Sequence, residues 1–301
     1  MQLFLLFIIT QEPEALSCFL VTEDKLSYGL SFAMYPLCKI AVPIFLMISG
    51  VTLLSKKETG RELFKKRILK HVIIILVFGT LQFLRYVRAG KVTLSLSTWF
   101  TSIYCVPVLE TYWFLYLYLG LLLLLPLLKK VVAVMEQQDY IYLFAICIIF
   151  QLLCGIGYFT GYFINANIFS FSMVIFYPLM GYGIDKYCEN IKGRLIIFLK
   201  VLIESVVIVL GITYIKIFTD NPGGVVSVFQ LFVPLLAIDF FVIFKVGCKS
   251  RNSKMNSNIG QAVFGIYLIE DIVRNQIEKI INKLNLIERM NDFIVAILFV
   301  I

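Results

Sequence analysis

The sequence predicts an all-α fold, a polytopic bundle of about ten membrane-crossing helices, on three observations. The first is composition: 60% of the 301 residues are apolar and 15% are charged, where an ordinary soluble domain has about 45–50% and about 25%. A soluble interior of this size has no room for 27 Phe, 16 Tyr and the aliphatic residues beside them. The second is pattern, because the apolar residues come in continuous runs and not in the in–out alternation of barrel strands. The third is length: at about 20 residues per span plus short connections, the chain holds roughly nine or ten helices. The same numbers exclude a disordered chain and a small disulfide scaffold.

The elements follow in order. Residues 1–9 (MQLFLLFII) are about half a span, and 33–54 are a full apolar run with one internal charge, Lys39. The basic stretch 55–70 (SKKETGRELFKKRILK) reads as a connecting loop, with the next span beginning at His71 and covering 71–84. Residues 112–128 (YWFLYLYLGLLLLLPLL) form the clearest span. A charged break at 136–139 separates it from 141–158, and 168–184, 195–215, 224–244 and a shorter 259–272 follow. Residues 293–301 are another half-span. Nine helical residues cover about 14 Å against about 30 Å of hydrocarbon. The expectation is therefore a single domain over 1–301 whose first and last spans are incomplete, clipped or degenerate.

The net charge of +8 invites a nucleic-acid reading, but its distribution argues for a membrane. Seven of the 27 Lys and Arg fall in 55–70, directly after an apolar run, as the positive-inside bias requires. With 1–9 as a first span leaving the cytoplasm, the inside connections carry 17 Lys/Arg and the outside ones 9. That split places both ends in the cytoplasm, in a multi-pass protein of the bacterial cytoplasmic membrane whose surroundings are lipid and not nucleic acid. The seven Cys show no CxxC and no metal-like spacing with His, so no metal is expected. Cys38, Cys147 and Cys154 fall inside apolar runs, which argues against structural disulfides.

Ionisable residues inside spans are costly, so each is a functional candidate. These are Lys39, Glu204, Asp239 and Glu270, and the plain alternative is that Lys39 pairs with one of the acids. Glu270 can serve as a general base, or form an interfacial pair with Arg274 alongside Asp271. His71, the one His, is expected at headgroup level on the cytoplasmic side, away from any external acceptor. Tyr112, Trp113, Tyr116 and Tyr118 gather near one end of a span, either as belt anchors or as a stacking surface for a sugar.

A resemblance adds to this. The string AVPIFLMISGVTLLSKKE, with Pro43, Phe45, Ser49, Gly50, Leu53 and Leu54, followed by ELFKKRILKHVI, resembles acyltransferase family 3. That family comprises bacterial integral-membrane O-acyltransferases of surface glycans. TYWFLYLYLGLLLLLPLL (111–128) is similar to the family's Trp-Phe-Leu-Tyr span, and FGIYLIE (264–270) to its Phe-Gly-Ile-Tyr-Leu-Ile-His. The sequence departs from the family at its bases. Thr10 stands roughly where the first His belongs, Glu270 stands at the second, and the Arg-x-x-Arg pair has become Arg67 and Lys70.

The resemblance implies transfer of an acyl group, an acetyl above all, from cytosolic acyl-CoA to a hydroxyl of a cell-envelope polysaccharide or glycolipid. Acyl-CoA is then a donor substrate, and no bound cofactor is expected. Arg67, Lys70, Lys66 and Arg61 would hold the donor's phosphates, Arg67 by its fork and Lys70 as a point charge. Trp113, Tyr112 and Lys39 would line the acceptor cavity, and Glu270 would be the remaining candidate base. A general base contributes about 10² to 10⁴ in rate, so the chain as written is expected to show little or no transfer. The rival readings are a glycan or lipid transporter without catalysis, and an inactive relative.

Overall fold

The structure, a computed structural model, describes residues 25–105, 112–160, 172–188, 193–219 and 222–247, together with 265, 267–269, 273 and 276. Among the described residues it is all-helical, with no β-strand. The helices are α1 (Lys25–Leu54), α2 (Gly60–Arg88), α3 (Leu96–Tyr104), α4 (Trp113–Val134), α5 (Gln137–Thr160), α6 (Met173–Tyr187), α7 (Arg194–Thr219) and α8 (Pro222–Gly247). The expected spans at 1–9 and 293–301 lie outside the described residues, as does most of 259–272. The chain divides into two compact units, one over Thr52–Val134 and one formed by Met1–Val51 with Met135–Ile301.

In the Thr52–Val134 unit, the basic stretch read as a loop is mostly helix. Thr59 starts α2 with a capping box: its hydroxyl accepts from the Glu62 N–H, and the Glu62 carboxylate accepts from the Thr59 N–H. Two orphan donors are thereby satisfied, and the helix begins at Gly60, eleven residues before the predicted span. Phe64–Ile68 forms a π-helical turn within α2. The far end closes as a Schellman motif, with Gly90 N–H on the Val87 carbonyl and Lys91 N–H on the Tyr86 carbonyl. This motif needs a left-handed residue at its centre, and Gly90 supplies it at φ +70°.

The Ser/Thr-rich segment after Gly90, read as an outside connection, contains α3. Its start is closed by the Ser95 N–H donating to Thr98 Oγ1. Trp99 Nε1 donates to Thr80 Oγ1 at 3.0 Å, and the Tyr116 hydroxyl donates to the Ile103 carbonyl. These bonds fasten α3 to α2 and α4. In α4 the buried residues Leu115, Leu121, Leu122, Leu125 and Leu128 recur at helical spacing, while Leu123 and Leu127 face outward.

Among the described residues, α2 and α4 are long and apolar enough to cross a bilayer, judged by length and composition. Only 33% and 28% of their apolar windows are buried, where the core helix of a soluble protein would be mostly covered. Ile73, Val77, Leu81, Leu84, Leu123 and Leu127 are exposed, an arrangement that suits lipid and not water.

In the other unit, α1 and α6 cross backbone to backbone. A Cβ on Gly50 would strike the Pro178 backbone, and one on Gly181 would strike the Met47 backbone. The Ser-Gly pair read as a family motif thus has a packing role. Met135 and Glu136 alone separate α4 from α5, because the Asp139 carboxylate accepts the Glu136 N–H at 2.7 Å and closes the turn. Lys245 of α8 caps α6, its Nζ donating to the Ile184 and Asp185 carbonyls at 3.0 and 2.7 Å and pairing with the Asp185 carboxylate. Helix α8 packs on α7 and α5.

Candidate functional site

The basic stretch does not act as one patch. Lys56, Lys57, Arg61, Lys65, Lys66 and Lys70 are exposed, and Lys66 Nζ lies 3.1 Å from Glu62 Oε1 one turn away on α2. Arg67 alone among the seven is turned inward, with its side chain 26% exposed. Its guanidinium meets the Glu58 carboxylate in a fork: Nε to Oε2 at 2.9 Å and Nη2 to Oε1 at 2.6 Å. This bond first, and then the positive charges of Arg67, Lys129 and Lys56, hold the Glu58 carboxyl below its ordinary range. Of the four expected phosphate ligands, then, Arg67 is geometrically distinct, and its fork is engaged by a carboxylate.

The π turn carries Lys65, Lys66 and Arg67 together. A widened turn shifts the phase of the residues after it relative to those before it. Arg67 and His71 then follow one another on the side of α2 that meets α4. His71 Nε2 donates to the Leu115 carbonyl at 3.0 Å, since a carbonyl can only accept. The His71 ring sits edge-on to Tyr118 at 5.2 Å between centroids, and Tyr118 lies within electrostatic range of Arg67. Tyr118 in turn stacks on Phe114. At the other end of α4, Lys129 Nζ donates to the Lys56 carbonyl at 2.7 Å.

These contacts fix an antiparallel register between α2 and α4. His71 lies beside Leu115 and Arg67 beside Tyr118, while the turn before α2 lies beside Lys129. From Lys129 to Tyr118 along α4 is about 16 Å at about 1.5 Å per residue. Arg67 is therefore recessed well along the apolar helix. His71, expected at headgroup level, is instead buried at 6% exposure. The sequence showed a run of cations; the register that draws one of them inward depends on the partner helix. Glu58 and Lys129 were missed, although Lys129 stands at the end of the clearest apolar run, and Tyr118, read as a belt anchor or sugar platform, lies within range of Arg67.

The other expected site residues are dispersed. Tyr112 is buried, with 1% exposure, and Trp113 is exposed, edge-on to Phe114. Lys39 is half-buried on α1, in the other unit. Glu204 and Asp239, weighed as its partners, close on Lys200 instead: Lys200 Nζ lies 3.5 Å from Glu204 Oε1 and 3.2 Å from Asp239 Oδ1. Glu270 lies outside the described residues, with its neighbours Asp271 and Arg274. No group of three or more His, Cys, Asp or Glu able to hold a metal occurs among the described residues. Cys105, Cys147 and Cys188 are free thiols.

Comparison with known proteins bears on what this arrangement serves. No curated protein and no solved structure matches the chain. A family model described as an acyltransferase domain matches it continuously over residues 17–301. The match takes in the Ser49–Gly50 crossing, the Arg67 fork and the 264–270 segment together. The chain belongs to acyltransferase family 3.

Proposed function

We propose that this protein moves an acyl group, acetyl above all, from acyl-CoA on the cytoplasmic side to a hydroxyl of a cell-envelope polysaccharide or glycolipid. The family match over 17–301 carries this reading. The recessed Arg67 supports it, because a guanidinium fork that binds a carboxylate also suits a phosphate. In this reading the exposed Arg61, Lys66 and Lys70, before and after Arg67 along α2, gather the CoA phosphates. Arg67 takes the inner one, exchanging Glu58 for the donor. Trp113, Tyr112 and Lys39 serve the acceptor side, and membrane lipids surround a ten-span domain over 1–301 with both ends in the cytoplasm.

The hydroxyl proton needs an acceptor. Of the two residues at the family's base positions, Thr10 has no titratable group and Glu270 has one. Glu270 is thus the proposed base, and it is a weak one unless burial raises it towards neutrality. Titration calorimetry with coenzyme A on the purified chain tests the donor side. Arg67→Ala should weaken binding more than Lys56→Ala, and equal small losses would leave the basic stretch a topology signal alone. Acetyl transfer to surface glycan tests the chemistry: turnover should be slight and should vanish in Glu270→Gln. Robust turnover indifferent to that change would move the base elsewhere.

A further inference from the structure

Helices α7 and α8 bury a three-residue ionic cluster that the acyl-transfer reading does not use. Glu204 and Asp239 are 8% and 6% exposed. Lys200 Nζ stands between them at 3.5 and 3.2 Å and leaves them one positive charge to share. Its own side chain is half exposed, which gives the cluster a polar edge. Each carboxyl group gives one oxygen to the lysine. The second oxygens, Glu204 Oε2 and Asp239 Oδ2, are buried without a hydrogen-bond partner among the described residues. The two carboxyl groups also lie within hydrogen-bonding reach of each other.

With both acids ionised, this arrangement is doubly unfavourable. The cluster keeps a net negative charge inside an apolar helix pair, where an uncompensated charge is expensive. Two acceptor-only oxygens are also buried without a donor, each forfeiting its hydrogen bond. One proton removes both penalties: a carboxylic acid donates to the neighbouring carboxylate, and the lysine then balances the single remaining charge. Lys245, the other cation on α8, is committed to Asp185 and to the end of α6. Among the described residues, the buried titratable groups on α5 and α6, the packing partners of α8, are Tyr140, Cys147 and Tyr177, all neutral in their ordinary states.

We infer that Glu204 and Asp239 form a proton-binding site, sharing one proton at neutral pH so that the cluster with Lys200 is neutral. The site is separate from the Arg67 fork and does not rest on the acyl-transfer reading.

Infrared difference spectroscopy on the purified full-length chain in lipid reads this directly, through the carbonyl stretch of protonated carboxyl groups. Wild type at neutral pH should show a carboxylic-acid band that shifts in heavy water and is lost in both Glu204→Gln and Asp239→Asn. Lys200→Gln should roughly double that band, because both acids must then be neutral. Circular dichroism and gel filtration of each variant establish that it is folded before its spectrum is used. A wild-type band that neither folded acid variant diminishes would overturn the inference, as would a Lys200→Gln band no larger than wild type. A site that takes sodium in place of a proton would show no such band, and addition of sodium chloride at fixed ionic strength would stabilise wild type but not Asp239→Asn. That outcome also overturns it.

Discussion

At Arg67, one side chain faces two claims. Its fork holds Glu58 in the structure, and the acyl donor must exchange one anion for another to reach it. Glu58→Gln keeps the shape and removes the charge, so it should tighten coenzyme A binding by about fivefold, equivalent to about 1 kcal/mol. Calorimetry on the two proteins at one salt concentration checks this, and unchanged affinity would remove Glu58 from the donor's path. The same pair has a defined pH dependence. Arg67 and its neighbours lower the Glu58 carboxyl from its ordinary value of 4.5, so the ion pair stabilises the fold fully above that value. Its contribution fades as the pH falls from 4.5 through the lower folded value. Because the pair is partly exposed, it is worth about 0.5–1 kcal/mol. The melting difference between wild type and Glu58→Gln should therefore be present at pH 7 and shrink towards zero in acid; a difference that grew in acid would reverse the assignment. The sequence made the cations visible but not this pairing, because Glu58 and Arg67 are nine residues apart and meet only once α2 begins at its Thr59 cap.

At the scale of the helix, small residues decide the crossing of α1 and α6. Gly50→Ala and Gly181→Ala each place a methyl group against a backbone that cannot swing aside, Pro178 in one case and Met47 in the other. Each should cost about 1–3 kcal/mol, with the helices forced apart. Gly120→Ala is the control, since nothing lies within 4 Å of its new Cβ. A mid-helix Gly-to-Ala change in open space should be neutral or stabilising by up to about 1 kcal/mol. Thermal unfolding in one detergent ranks the three, and similar melting temperatures for Gly50→Ala and Gly120→Ala would refute the close crossing. Helix existence was legible from the apolar runs, but the ends were not. The extension of α2 back to Gly60 comes from Thr59 and Glu62, whose capping bonds outweigh the polarity that marked the stretch as a loop. The short α3 escaped notice because four of its nine residues are Ser or Thr, while Trp99 and its bond to Thr80 hold it in place.

For the molecule as a whole, the 17-to-9 division of Lys and Arg between alternate connections predicts the orientation. Single cysteines placed in 55–58 and 246–258 should resist an impermeant thiol reagent added to intact cells, whereas cysteines in 158–167 should react. Labelling of 55–58 from outside would invert the topology and remove the cytosolic donor from the basic stretch. The family match is indifferent to this result, so the experiment tests the direction of transfer separately from its chemistry.

By itself the sequence determined the solvent and the family. Hydropathy summed over many residues does not depend on which helix meets which, so an all-helical chain with apolar runs was legible before any contact was known. The family motifs were legible for a related reason, since Ser49–Gly50, Arg67 and 264–270 are local strings. Only the tertiary structure decided which charges are paired. Arg67 is distinguished from six other cations by the helix it faces, His71 is withdrawn from the surface by the Leu115 carbonyl, and Glu204 and Asp239 find Lys200 and not Lys39. A buried charge takes its partner from the neighbouring helix face, and helix register is a property of packing that no single run of residues contains.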